Sequence, residues 1–126
     1  MSDIQTISRV YEAFANRDLT AVLAVMDPAV TFTQEAPLPW GGVHHGVEGV
    51  QTFLTTLLSH LDPQVTVEAL YSSGEHVVQI GRTSGRVLGN GKWFDLPEVH
   101  IWRLVDGRIV SYQAHTDVPG LLEVLG

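Results

Sequence analysis

Glu98, His100 and Trp102 stand two residues apart in the stretch running from Asp95 to Asp117. Strand side chains alternate between faces, so these three share one face with Leu104. An acid, an imidazole and an indole on one side do not make an ordinary core strand. Either that face is wet, or it lines a pocket that needs polar groups. Asp106-Gly107 is a two-residue hairpin signal. The strand after it puts Ser111, Gln113, His115 and Asp117 on one face and Val110, Tyr112 and Ala114 on the other. Two carboxylate–imidazole pairs result: Glu98 with His100, and Asp117 with His115. Desolvation disfavours a carboxylate's charge, so a buried one gains basicity. A base near a carbon acid, with donors aimed at the developing oxyanion, is what enolisation or ring closure requires.

These residues need a scaffold. Ser2-Asp-Ile-Gln5 is a capping box, and Ile4, Ile7, Val10, Tyr11 and Phe14 follow at helical spacing. A second helix is expected over residues 19–26, ended by Asp27-Pro28, because the residue before proline avoids the helical region. Val30, Phe32 and Gln34 share one face of a strand over residues 30–35. Residues 36–46, with two prolines and three glycines, read as an irregular loop that carries Trp40, His44 and His45. A third helix is expected over residues 47–61, closed by Asp62-Pro63. The remainder alternates as four strands, with turns at residues 72–75, at 89–92 and at Asp106-Gly107. Pro119-Gly120 is expected to break the last strand, leaving a short apolar tail of about one helical turn.

The chain of 126 residues fits one domain, residues 1–126, with a real core. It is 44% hydrophobic and only 17% charged. So low a charged share suggests that much surface is hidden, as in a subunit interface. A net charge of -7 argues against nucleic acid and against anionic membrane surfaces. With no cysteine, disulfides and thiolate chemistry are excluded. No secretory signal and no membrane-spanning run is visible, so a cytoplasmic location is expected.

Helices gathered at one end of an antiparallel sheet make an α+β architecture. The element order, Asp18-Leu19, the loop Pro39-Trp40-Gly41-Gly42-Val43-His44-His45-Gly46 and the run His100-Ile-Trp-Arg-Leu-Val-Asp-Gly-Arg-Ile109 resemble the nuclear transport factor 2-like superfamily. Within it they resemble the SnoaL-like branch, which includes polyketide cyclases and relatives of ketosteroid isomerase. The resemblance covers nearly the whole chain. It is specific for the fold, and that superfold hosts enzymes, binding proteins and assembly modules alike. It implies a cone-shaped, curved antiparallel (mixed) sheet wrapped around three N-terminal helices, with a small-molecule pocket at its mouth. It also implies a homodimer through the outer sheet face, where Val78 and Ile80 are expected. Tyr11 stands where such isomerases carry an oxyanion-hole tyrosine, and His100 where they carry a protonated aspartate. Gln34 falls in the region of their base, a departure from a conventional isomerase. Asp117 resembles the acid/base aspartate of the cyclases.

The expected site therefore has Asp117 as base, with Glu98 as the other carboxylate and His100 or Tyr11 as donor. Trp40 and Trp102 supply flat apolar walls for a ring-shaped substrate. Phe32, Gln34, His45 and His115 complete the substrate-binding set. Each has a plainer alternative. Tyr11 can be a core aromatic, Asp117 can satisfy backbone donors near Gly120, Glu98 can be an exposed strand residue, and Trp40 either lines the pocket or anchors its loop. His44 and His45 point opposite ways, so one at most enters. Six histidines raise a metal, yet no helical pair or Cys/His spacing supports one, and neither metal nor cofactor is expected. The expected function is acid/base chemistry on a carbonyl-containing, mostly apolar small molecule. The alternative is a non-catalytic binding or dimerisation module.

Overall fold

The computed structural model describes residues Met1–Gly126. Helix α1 (Asp3–Ala15) starts at the Ser2 capping box, where Ser2 Oγ accepts the Gln5 N–H and Gln5 Oε1 accepts the Ser2 N–H. It buries Ile7 and Val10. Helix α2 (Leu19–Ala24) is capped by Asp18, and α3 (Gly46–His60) buries Val50, Phe53 and Leu54. The strands are β1 (Met26–Gln34), β2 (Gly42–His45), β3 (Leu61–Ser73), β4 (His76–Val87), β5 (Trp93–Val105) and β6 (Arg108–Thr116); helix α4 (Val118–Leu125) ends the chain.

All six strands form one mixed sheet in the order β2-β1-β6-β5-β4-β3, with β1 parallel to β6 and every other pair antiparallel. Helix α3 touches β1 and β2 on one side and β3 on the other. In a flat sheet β1 and β3 would lie roughly 20 Å apart, beyond the roughly 10–12 Å width of one helix. The sheet therefore curls around the helices, and the core fills the space between. The fold is α+β, as expected.

Four local expectations differ. Asp27-Pro28 does not end a helix: α2 stops at Ala24, and Pro28 lies inside β1, in an interruption of the pairing to β6 between Met26 and Thr31. Proline is tolerated at such irregularities because no ladder hydrogen bond is needed there. Pro63 likewise sits within β3, which forms an edge of the sheet. Residues 42–45 are a strand rather than loop, because they pair with residues 31–34 of β1. The last strand does end before Pro119, but the tail is longer than one helical turn: α4 runs Val118–Leu125, with Pro119 in its first turn, where its missing N–H costs nothing.

One bulge decides which side chains face inward. At the β5–β6 turn Asp106 and Gly107 adopt φ of 51° and 77°. This is the left-handed conformation that a tight hairpin of this kind needs. Val105 pairs with Arg108 and Leu104 with Ile109, but Arg103 then pairs with Ser111, so Val110 is an extra residue. A one-residue slip moves every later side chain to the other face. Tyr112 and Ala114 therefore point inward opposite Trp102 and His100, and Gln113 and His115 point to solvent.

Candidate active site

β5 carries Glu98, His100 and Trp102 on its inner face, each no more than 5% exposed. Across the ladder, Gln79 of β4 lies beside His100, and Tyr112 of β6 beside Trp102. Tyr11 reaches them from α1. The hydrogen bonds fit one arrangement of protons. An indole can only donate, and Trp102 Nε1–H donates to the Tyr11 hydroxyl oxygen at 2.8 Å. The Tyr11 hydroxyl donates in turn to His100 Nδ1, 2.8 Å away. Gln79 Nε2–H points at the same nitrogen from 3.2 Å, a second donor that needs Nδ1 unprotonated. The imidazole hydrogen is then on Nε2, which donates to Glu98 Oε2 at 2.6 Å. The chain runs one way, from Trp102 through Tyr11 and His100 to Glu98.

Glu98 ends that chain with its second oxygen, Oε1, buried and without a partner. Buried polar atoms are nearly always satisfied, and an orphan costs about 1–3 kcal/mol, more when charged. Burial pushes the Tyr11 hydroxyl well above its ordinary value; the Glu98 charge pushes the same way, and the Trp102 and Gln79 N–H groups pull against it. Burial holds Tyr112 up as well, with Tyr11 and Glu98 adding to it. Both phenols therefore remain O–H donors at neutral pH.

These groups face a cavity of about 90 Å³, and fourteen of its twenty lining residues are hydrophobic. Phe32, Phe53, Trp102 and Tyr112 form its aromatic floor, with Phe32–Tyr112 and Trp102–Tyr112 ring centroids 4.5 and 4.4 Å apart. Glu98, His100 and Tyr11 line the same space, as do Gln34, Thr83 and Thr116. Such a space accepts a small apolar body that presents one or two polar atoms. No three His, Asp or Glu side chains are gathered as metal ligands.

Residues 7–112 match the SnoaL-like domain. The chain belongs to the SnoaL-like family. Its fold is shared with an NTF2-like protein of unknown function from Burkholderia pseudomallei, at 32% identity and a TM-score of 0.93 over 99% of this chain and 98% of that one. An NTF2-like protein from Burkholderia thailandensis is 26% identical, with a TM-score of 0.92 over 100% and 98%. TerC, co-crystallised with polyporic acid, is 24% identical with a TM-score of 0.90 over 98% and 97%. No curated protein matches the chain.

In this SnoaL-like protein Tyr11, Glu98, His100 and Trp102 converge, and Phe32, Gln34 and Trp40 line the same cavity. Trp40 is both wall and anchor: its ring is buried against the pocket, and its carbonyl accepts a hydrogen bond from His44 Nε2–H at 3.1 Å. Three expected residues stand elsewhere. Asp117 does not line the cavity; its Oδ1 accepts the Gly120 N–H at 3.0 Å and caps α4. His115 is exposed on the outer face because of the Val110 bulge. His45 is exposed at the α3 N-cap, and His44 turns inward against Phe53, with ring centroids 5.3 Å apart. Alternation alone misses Tyr112, because its direction depends on the bulge. Gln79 carried a signal: placing Val78 and Ile80 on the outer face puts the residue between them inside.

No helix is long and apolar enough to cross a membrane.

Proposed function

We propose that this SnoaL-like protein carries out cofactor-free proton transfer on a small, mostly apolar, ring-type carbonyl compound, as in an isomerase or cyclase reaction. The observation that carries this reading is Glu98, which keeps one carboxylate oxygen buried and unpartnered and lines the same largely apolar cavity as Tyr11 and His100. The substrate carbonyl oxygen takes the Tyr11 O–H. A carbon next to that carbonyl gives its proton to Glu98 Oε1, and the electron pair of the broken C–H bond moves into the carbonyl to form an enol-type oxygen. Glu98 then returns the proton to a different carbon, or the enol carbon attacks a second carbonyl to close a ring, the π pair of that carbonyl moving onto its oxygen, which takes the proton from Glu98. His100 Nε2–H holds Oε2 throughout, so the carboxylate keeps its aim. The base is Glu98 and not Asp117, whose carboxylate serves α4. Co-crystallisation of TerC with polyporic acid supports the view that this fold takes a small organic ligand.

The direct test is exchange of the protons beside the carbonyl of cyclohexenone in heavy water, followed by NMR. The parent protein is expected to exchange them and Glu98→Gln to fail.

The same proposal includes a homodimer through the outer sheet face. Ile80 is 42% exposed there, and the ladder sets it beside Ala69 and Val99, next to the row Tyr71, Val78 and Ile101. An apolar face of this kind is what an isologous pair would cover.

A further inference from the structure

Gln79 has no part in the reaction described above, yet it is the most enclosed polar side chain of the molecule, 0% exposed. Its Nε2–H and the Tyr11 hydroxyl aim at His100 Nδ1 from 3.2 Å and 2.8 Å. That nitrogen has a single lone pair to offer both. The Gln79 Oε1 has no partner. A side chain that only filled space would be more stable as leucine or methionine, because a buried amide oxygen without a donor is destabilising. Room is also reserved for it. A methyl group at Gly81, on the same face of β4, would overlap Gln79 Oε1 and the Thr66 carbonyl. The amide further acts on the Tyr11 oxygen, where it favours the ionised form alongside Trp102.

We propose that Gln79 is a positioning residue whose amide N–H takes over the His100 Nδ1 lone pair when the Tyr11 hydroxyl turns to a substrate carbonyl. This rests on the carbonyl reading of the pocket. The physical problem is one of exchange. At rest Tyr11 spends its only proton on His100, so it has none for a ligand. Turning away would leave a bare ring nitrogen in a dry site, and that loss would cancel the new bond to the substrate. With Gln79 in place one donor leaves as another tightens. His100 keeps its tautomer, Nε2–H stays on Glu98, and Oε1 stays free as base.

Two measurements test this, one of which needs no substrate. Long-range proton–nitrogen NMR reads whether His100 Nδ1 accepts a hydrogen bond. In Tyr11→Phe the Nδ1 signal should stay that of an accepting nitrogen, because Gln79 remains. In Tyr11→Phe with Gln79→Met it should move to that of an unbonded one. In the reaction, Gln79→Met should slow cyclohexenone exchange roughly ten- to a hundredfold, the cost seen for partners set one bond behind metal ligands. Binding should change by less than about threefold, because a positioning residue acts mainly on the reacting state. The carbonyl stretch of bound cyclohexenone should return toward its value in apolar solvent. Gln79→Leu repeats the test if the methionine variant does not fold. If the parent exchanges the probe and Gln79→Met does so equally fast, the role of Gln79 is overturned and the carbonyl reading survives. If no carbonyl compound exchanges in the parent but the nitrogen signals follow the expected pattern, the carbonyl reading fails while the hold of Gln79 on Nδ1 stands. An unbonded Nδ1 in Tyr11→Phe alone overturns that hold.

Discussion

Glu98→Gln separates chemistry from stability more cleanly than any other substitution in this site. The new amide keeps the size and shape of the carboxyl group. Its oxygen can still accept His100 Nε2–H, now found 2.6 Å from Glu98 Oε2. The NH2 group takes the place of an oxygen that has no partner, so no existing bond is lost. What disappears is a carboxylate with a side chain only 3% exposed, which forms an ion pair with no Lys or Arg. Removing an unbalanced buried charge is neutral or stabilising in favourable cases, so unfolding free energy should fall by no more than about 1 kcal/mol. The reaction should suffer much more. A lost general base costs about 10²–10⁴-fold in rate, equivalent to roughly 3–5 kcal/mol of barrier. The assay pairs urea unfolding with heavy-water exchange of cyclohexenone. A variant that exchanges as fast as the parent would refute Glu98 as base. One that unfolds several kcal/mol more easily would show that the carboxylate is chiefly structural.

Asp117→Ala should leave exchange unchanged and cost about 0.5–2 kcal/mol, the worth of an N-cap, read as a drop of a few degrees in melting temperature. His100→Ala strips Glu98 Oε2 and the Tyr11 hydroxyl of their partner, and should cost about 3–5 kcal/mol in chemical denaturation. Tyr11 and Tyr112 both hold their protons above the ordinary value of 10.0 in the folded state. Above about pH 10 the unfolded chain loses these protons and the folded one keeps them, so stability should fall with rising pH by about 1.4 kcal/mol per unit for each tyrosine. Tyr11→Phe should remove one such increment from the alkaline slope; an unchanged slope would count against it. Ile80→Lys puts a charge on the outer apolar face and should give a monomer in sedimentation velocity where the parent sediments as a dimer.

Much of the site was legible in the sequence because strand geometry is local. Glu98, His100 and Trp102 share a face by alternation alone, and so do Val30, Phe32 and Gln34. The Ser2–Gln5 box, the helical spacing of α1 and the Asp106-Gly107 turn are equally local, since each depends on residues a few positions apart. The same logic misleads at β6. A hairpin counted without a bulge sets Ser111 opposite Trp102, Gln113 opposite His100 and His115 opposite Glu98, which is the polar face that alternation assigns to chemistry. Val110 adds one residue, the count shifts, and Tyr112, Ala114 and Thr116 turn inward. A bulge of this kind lies outside the turn residues, so the Asp106-Gly107 signal does not reveal it.

Only the tertiary structure could join Tyr11 to His100 across 89 positions of sequence, or set two donors against one imidazole nitrogen. It also gave the two carboxylates different surroundings. Asp117 and Glu98 are alike as residues, and each stands two positions from a histidine. The Gly120 N–H at the start of α4 claims one, and the other lines a largely apolar cavity with one buried oxygen that no donor reaches. What a carboxylate does depends on which donors reach it, and those donors come from elements far apart along the chain.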